Sequence, residues 1–289
     1  MADGRPVTVA SSERFDLPSR ILGRSLRILL AMPYGDTPAG GWPVVYLLDG
    51  YENFATGAQI VRTLANAREI RGAVVVGVAY ADPKTGGDQR FLDLTTPCPQ
   101  KTLDRMGRKD VAEAGTGGLD SYLQAIQFEV KPAVEARVAI DRADQTLFGH
   151  SLGGLAVLRA LFRLTPTYRN FLASSPSIWW DEKAVLADEP AFAARVKAGE
   201  ASPRVFVCVG GLEETPGKAD PSRGYSQAQS DRMVRQAKMV GNAHALGRRL
   251  RAIEGPRGFE VESFVFRDES HVSVIPAALS RGLAFALRP

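Results

Sequence analysis

"LFGHSLGGLAV", residues 147–157, places one hydroxyl among glycines where one apolar run ends and another begins. The preceding "QTLFGH" (145–150) has the composition of a buried strand, and "LGGLAVLRALFRL" (152–164) that of an apolar helix. Between them, Gly149-His150-Ser151-Leu152-Gly153 fits the G-x-S-x-G nucleophile elbow. In that elbow the serine occupies a tight, strained turn, and small residues two positions to either side keep the turn free of clashes. The pattern predicts Ser151 as a nucleophile; the competing expectation is a serine in an ordinary glycine-rich turn.

The same alternation of short apolar runs with longer helical periods extends through the chain. Strands are expected at "SLRILLAM", "PVVYLLDG", "AVVVGVAY", "QTLFGH", "NFLASSPS", "RVFVCVG" and "FEVESFVF". Helices are expected near 54–68, 118–136, 152–163, 181–187, 226–254 and 273–287. Most of the strand runs lack polar alternation, as strands covered on both faces do. The expectation is an α/β protein: an α/β-hydrolase fold with a mostly parallel central sheet and helices on both faces. With 289 residues, 45% of them hydrophobic, the chain can bury a large core. No internal repeat or linker divides it, so residues 1–289 read as a single domain. One long irregular segment, about 81–118, interrupts the alternation and is a candidate pocket wall.

Charge and cysteine usage exclude several function classes. The net charge of +4 is spread along the chain and makes no case for nucleic acid. No stretch approaches the roughly 18 apolar residues of a membrane span, and the N-terminus lacks the apolar core of a secretory signal. The location expected is cytoplasmic, or periplasmic or secreted had a leader been removed. Cys98 and Cys208 are the only cysteines, too few for a disulfide framework, and Cys208 within "VFVCVG" reads as an inert buried thiol.

A serine hydroxyl needs a base to accept its proton. Of three histidines, His150 adjoins the serine and its side chain should point away from the site, in a structural role. His244 lies in a polar helical stretch. His271, in "RDESH" after the last strand, stands where the order serine, acid, histidine places the base. The acid should follow a late strand, and "GLEETPG" after "RVFVCVG" offers Glu213, two residues beyond Gly210-Gly211. Glu214, Asp268, Glu269 or a serine–histidine dyad are the alternatives. Two N–H donors should face the oxyanion: the backbone of Leu152, and that of Tyr51 after "PVVYLLDG".

Three further positions could line a pocket. Trp179 and Trp180 follow the strand "NFLASSPS", where at least one could form an aromatic wall and both could equally pack in the core. Arg90 could face an anionic substrate; bracing the long segment through Asp93 is the favoured role. The basic residues from 232 to 251 belong to an amphipathic helix whose outer face they solvate.

Taken together, "VVYLLDGYENF", "RFLDLTTP", "LFGHSLGGLAVLRALF", "SSPSIWWD", "VCVGGLEE" and "HVSVIPAAL" resemble the putative-esterase branch of the α/β-hydrolase superfamily. That branch includes siderophore (enterochelin-type) esterases, S-formylglutathione hydrolases, feruloyl esterases and mycolyltransferases. "SPSIWW" and "HVSVIPAALSRGL" point to the siderophore-esterase-like subgroup. The resemblance implies Ser151 as nucleophile, His271 as base, and Tyr51 and Leu152 as oxyanion donors. Relatives often carry Gly-Glu-Leu-Glu after the late strand; here Gly210-Gly211-Leu212-Glu213 lacks the first acid, which favours Glu213. The implied activity is carboxylic ester hydrolysis through an acyl-enzyme, without a cofactor or metal. Its substrate would be a small-molecule ester, with catecholate siderophores among the candidates. Feruloyl, short-chain or S-formylglutathione esters, acyl transfer and non-catalytic binding are the alternatives.

Overall fold

A computed structural model describes residues 8–82, 86–106, 111, 115–163, 167–219 and 225–289. Its frame is an eight-stranded sheet in the order β1-β2-β4-β3-β5-β6-β7-β8. The strands are β1 (Ser12–Ser19), β2 (Arg24–Ala31), β3 (Trp42–Leu47), β4 (Val74–Tyr80), β5 (Ile140–His150), β6 (Asn170–Ser174), β7 (Arg204–Gly210) and β8 (Glu260–Phe266). β1 pairs antiparallel with β2, and β2 antiparallel with β4. From β4 through β8 every pairing is parallel. The seven expected strands are all present. β1 is the addition, and its "SERFDLPS" alternates charge with Phe15 and Leu17 as a solvent-facing edge does.

Helices cover both faces, as expected: α1 (Gly50–Asn66), α2 (Gly86–Leu94), α3 (Gln100–Met106), α4 (Leu119–Ala125), α5 (Lys131–Glu135), α6 (Leu152–Arg163), α7 (Glu189–Lys197), α8 (Gln227–Ala237), α9 (Met239–Arg251) and α10 (Val274–Ala286). A π-helical turn, Ile126–Val130, joins α4 to α5; where a helix was expected over 181–187, Trp180–Asp188 is 3₁₀ structure broken by a kink at left-handed Asp181, Glu182 and Lys183 (φ 43°, 52° and 71°), and it leads into α7. The pleat of β3 divides the core. Val44, Tyr46 and Leu48 join one cluster with Leu155 and Leu158 of α6 and Leu246 of α9. Val45 and Leu47 join the other with Ala58 and Val61 of α1 and Leu279 and Leu283 of α10. In α1 the buried set Phe54, Gly57, Ala58, Val61 has the i, i+3, i+4, i+7 spacing of one helical face.

Two further expectations are corrected. The segment 81–118 is not irregular throughout: α2 and α3 lie in it, while its residues 83–85, 107–110 and 112–114 fall outside the described ones. Near 226–254 there are two helices, because Lys238 takes a left-handed conformation (φ 44°) between α8 and α9.

The parallel register fixes where a site can form. His150 pairs with Ser174, Ser174 with Cys208, and Gly210 with Phe266, so the carboxyl ends of β5 to β8 align along one edge. The loops leaving those ends converge there, as in open α/β sheets generally.

Candidate active site

Ser151 follows the last residue of β5 with φ 61°, a left-handed conformation rare for a residue with a side chain. Main-chain bonds hold it there. Its N–H donates to the Ser174 carbonyl (3.0 Å), and its own carbonyl accepts from Leu155 and Ser177 (3.0 Å each). Gly149 is required by close approach, since a Cβ there would stand 2.2 Å from the Gly153 carbonyl oxygen.

The structure brings Ser151, His271 and Glu213 into one line. His271 Nε2 lies 3.0 Å from Ser151 Oγ, and Nδ1 lies 2.7 Å from Glu213 Oε2. Glu213 Oε1 accepts from the Gly210 N–H (2.7 Å) and the Ser175 hydroxyl. The Glu213 side chain is 1% exposed and that of His271 43%, so the acid is sealed beneath an imidazole whose edge is open. The other acids are engaged elsewhere: Glu214 accepts from the Gly241 N–H (2.8 Å), Glu269 pairs with the Ser273 hydroxyl, and Asp268 is exposed. With Nδ1–H donated to Glu213, Nε2 is the ring nitrogen able to accept the serine proton.

Leu152 opens α6 and Tyr51 is the second residue of α1, so both N–H groups lie in first turns that have no intrahelical acceptor. Tyr51 turns its side chain away, its hydroxyl accepting from Arg27 Nη1 at 2.8 Å. The positive φ of that turn belongs to Asp49 (51°), whereas Gly50 is needed because a Cβ would meet the main chain of Gly77 at 2.8 Å.

Ser151, His271, Glu213, Leu152 and Asp49 border a cleft of about 720 Å³. Trp179 lines it. Trp180 does not: it is 1% exposed, and its indole N–H donates to the Thr96 carbonyl (3.2 Å), so its expected pocket role is corrected to a core one. Arg90 lines the cleft, but its guanidinium is held by Asp49 (Nε–Oδ1 2.6 Å, Nη2–Oδ2 2.9 Å). Its bracing partner is therefore Asp49, not Asp93, which pairs with Arg24. Across the cleft stand Met233, Val234 and Ala237 of α8, a helix with no buried residue, whose Arg232 and Arg235 face solvent. Helical spacing marks Met233, Val234 and Ala237 as the apolar side of the expected amphipathic helix, but not that this side meets the site.

The His150 side chain does not point away from the site. Its ring lines the cleft 4.7 Å from that of His271, with Nδ1 3.0 Å from Ser174 Oγ. His244 is exposed on α9. Cys208 is buried, and burial pushes its thiol up to about 12, as befits an inert core residue.

Known proteins resemble this chain in sequence and in fold. The Ferri-bacillibactin esterase BesA of Bacillus subtilis is 31% identical over 286 residues, 98% of this chain and 91% of that protein. The Siderophore triacetylfusarinine C esterase of Aspergillus fumigatus is 31% identical over 290 residues, 96% of this chain and 94% of that one. Among solved structures, the BES protein from Bacillus cereus superposes with a TM-score of 0.82 at 29% identity, covering 100% of this chain and 99% of that one. The siderophore hydrolase EstB from Aspergillus nidulans gives 0.80 at 28%, covering 99% and 98%. The "Putative esterase" family model matches residues 19–247. Likeness along nearly the whole length of these relatives, in sequence and in fold, shows that the chain belongs to the Putative esterase family of α/β-hydrolases as a siderophore-esterase-like hydrolase.

Proposed function

We propose that the protein hydrolyses the ester bonds of a siderophore, with Ser151 as nucleophile, His271 as general base and Glu213 as the acid that orients it. The contact chain Ser151 Oγ–His271 Nε2 (3.0 Å) and His271 Nδ1–Glu213 Oε2 (2.7 Å) carries this reading. Ser151 attacks the ester carbonyl as His271 takes its proton, and the tetrahedral oxyanion meets the N–H groups of Leu152 and Tyr51. His271 then returns the proton to the departing alcohol, leaving an acyl-enzyme. Water repeats the sequence and releases the acid. Glu213 holds the Nδ1–H tautomer and stabilises the imidazolium formed in each half-reaction. Siderophore substrates are supported by the named activities of the two relatives and by a cleft whose volume lies in the range of drug-sized ligands.

The test is a panel offered to wild type and Ser151→Ala: a chromogenic short-chain ester, a feruloyl ester, S-formylglutathione, a tri-catechol lactone siderophore and a tri-hydroxamate ester siderophore. Preferential cleavage of either siderophore, lost in a folded Ser151→Ala, is the expected result. Undiminished turnover in that variant refutes the nucleophile assignment. Cleavage of simple esters alone removes the siderophore assignment and keeps the chemistry. Added alcohols should leave the free acid as the main product; an ester product would indicate acyl transfer instead.

A further inference from the structure

The triad leaves one motion of its histidine unrestrained. His271 comes from a loop, and its ring is held by two hydrogen bonds at roughly opposite corners, to Ser151 and to Glu213. Such bonds fix the axis of the imidazole but resist rocking about it poorly. A ring packed beside the imidazole would oppose that motion, and the ring of His150 stands there. The two ring centroids are 4.7 Å apart, with the planes at 45°.

His150 is itself firmly fixed. It closes β5 in register with Ser174 of β6, its Nδ1 meets Ser174 Oγ at 3.0 Å, and it is 7% exposed. Its carbonyl also faces Arg90 Nη2 at 3.5 Å, joining it to the Arg90–Asp49 pair beside the oxyanion turn. We propose that His150 is a positioning residue for the reaction: its ring, anchored on Ser174, keeps the His271 imidazole aligned between Ser151 and Glu213.

A histidine serves here for a physical reason. Its Nδ1 gives the ring a hydrogen-bonded anchor that phenylalanine lacks, and its dipolar face lies beside a group that becomes cationic during acyl transfer. It does not add a second cation. Burial first, then His271, then Arg90 push its pKa well below the ordinary histidine value, while the main chain of His271 opposes this.

The inference rests on the proposed serine-esterase reading, and its test separates the two. His150→Ala, His150→Phe and Ser174→Ala are compared with wild type on a p-nitrophenyl ester, with unfolding temperature as the check on folding. Misplacement of a catalytic group by about 1 Å can cost of the order of 100-fold, so kcat should fall about 30-fold in His150→Ala with KM little changed. Ser174→Ala, which keeps the ring but frees it, should lose about 3-fold to 10-fold. His150→Phe should fall between these, because the face contact survives without its anchor. The downfield proton resonance of His271 Nδ1–H, sharp in wild type, should broaden in His150→Ala in parallel with kcat. Because a partly unfolded population would also lower the apparent kcat at unchanged KM, kcat of every variant is referred to the concentration of active sites titrated by a serine-directed organophosphate. A folded His150→Ala with wild-type kcat and an intact downfield resonance overturns the inference, as does a Ser174→Ala enzyme indistinguishable from wild type. Failure of the wild-type protein to turn over any ester overturns the esterase reading instead.

Discussion

Glu213 uses both carboxylate oxygens, one for His271 and the other for the Gly210 N–H and the Ser175 hydroxyl, and every one of these contacts can act as a donor to it. An amide at this position must turn its NH₂ either toward the Gly210 N–H, where two donors oppose each other, or toward His271, where the imidazole must flip to present an acceptor. Glu213→Gln should therefore lower kcat by up to about 10⁴-fold, the loss known for an acid-to-amide change in a serine triad, with KM little changed in steady-state assays. Glu214→Ala is the contrasting variant. It removes the acceptor for the Gly241 N–H in the first turn of α9, at a cost of about 1 kcal/mol, and a large kcat loss there would displace Glu213 from its role. At this scale the site was readable where chemistry leaves few choices: three histidines and a fixed order of serine, acid and base singled out His271. It was unreadable where partners are distant in the chain. Arg90 and Asp49 are 41 positions apart, and no local signal announces their pairing.

Neighbouring residues on one element can serve opposite ends. β6 leads through Ser175 and Pro176 into the 3₁₀ segment Trp180–Asp188, and this turn sends Trp179 to the cleft and Trp180 under the fold. Trp179→Ala should raise KM several-fold for an aryl ester while shifting the unfolding midpoint little. Trp180→Ala should cost about 3–5 kcal/mol, from the cavity and the lost bond to Thr96, as judged by urea unfolding. Equal effects of the two on stability would remove the distinction. Strands buried on both faces, such as "VVVGVAY" and "RVFVCVG", were legible because hydrophobic runs without alternation have few other uses. β1 was not, because its polar alternation resembles a loop until β2 supplies a partner. The break at Lys238 was equally hidden: the apolar period continues across it, and only the left-handed backbone of one residue divides α8 from α9.

Global stability carries a pH signature of its own. Lys131 is 3% exposed at the start of α5; its ammonium donates to the Thr167 carbonyl (2.9 Å) and lies 3.8 Å from the Tyr168 ring centroid. Burial pushes its pKa down to about 7, with Glu135 opposing the shift. In the unfolded chain the same amine titrates near 10.4, so between these values the unfolded state binds more protons and stability rises with pH. Below about pH 7 both states are protonated and this group adds no further slope. Near pH 10 the buried Tyr46, Tyr122 and Tyr168, all held above the ordinary tyrosine value mainly by burial, begin to act in the opposite sense. The clean window is therefore about pH 7–8, set by the lysine below and, above it, by the thiols of Cys98 and Cys208, which burial holds at about 11 and about 12 while in the unfolded chain they ionise near about 8.5 and so act in the opposite sense. Wild-type stability in urea should climb across it by an amount of the order of 1 kcal/mol, and Lys131→Met should flatten that climb. Parallel curves for the two proteins across the window would show that Lys131 stays protonated in the fold, held by Thr167 and the face of Tyr168 against its burial.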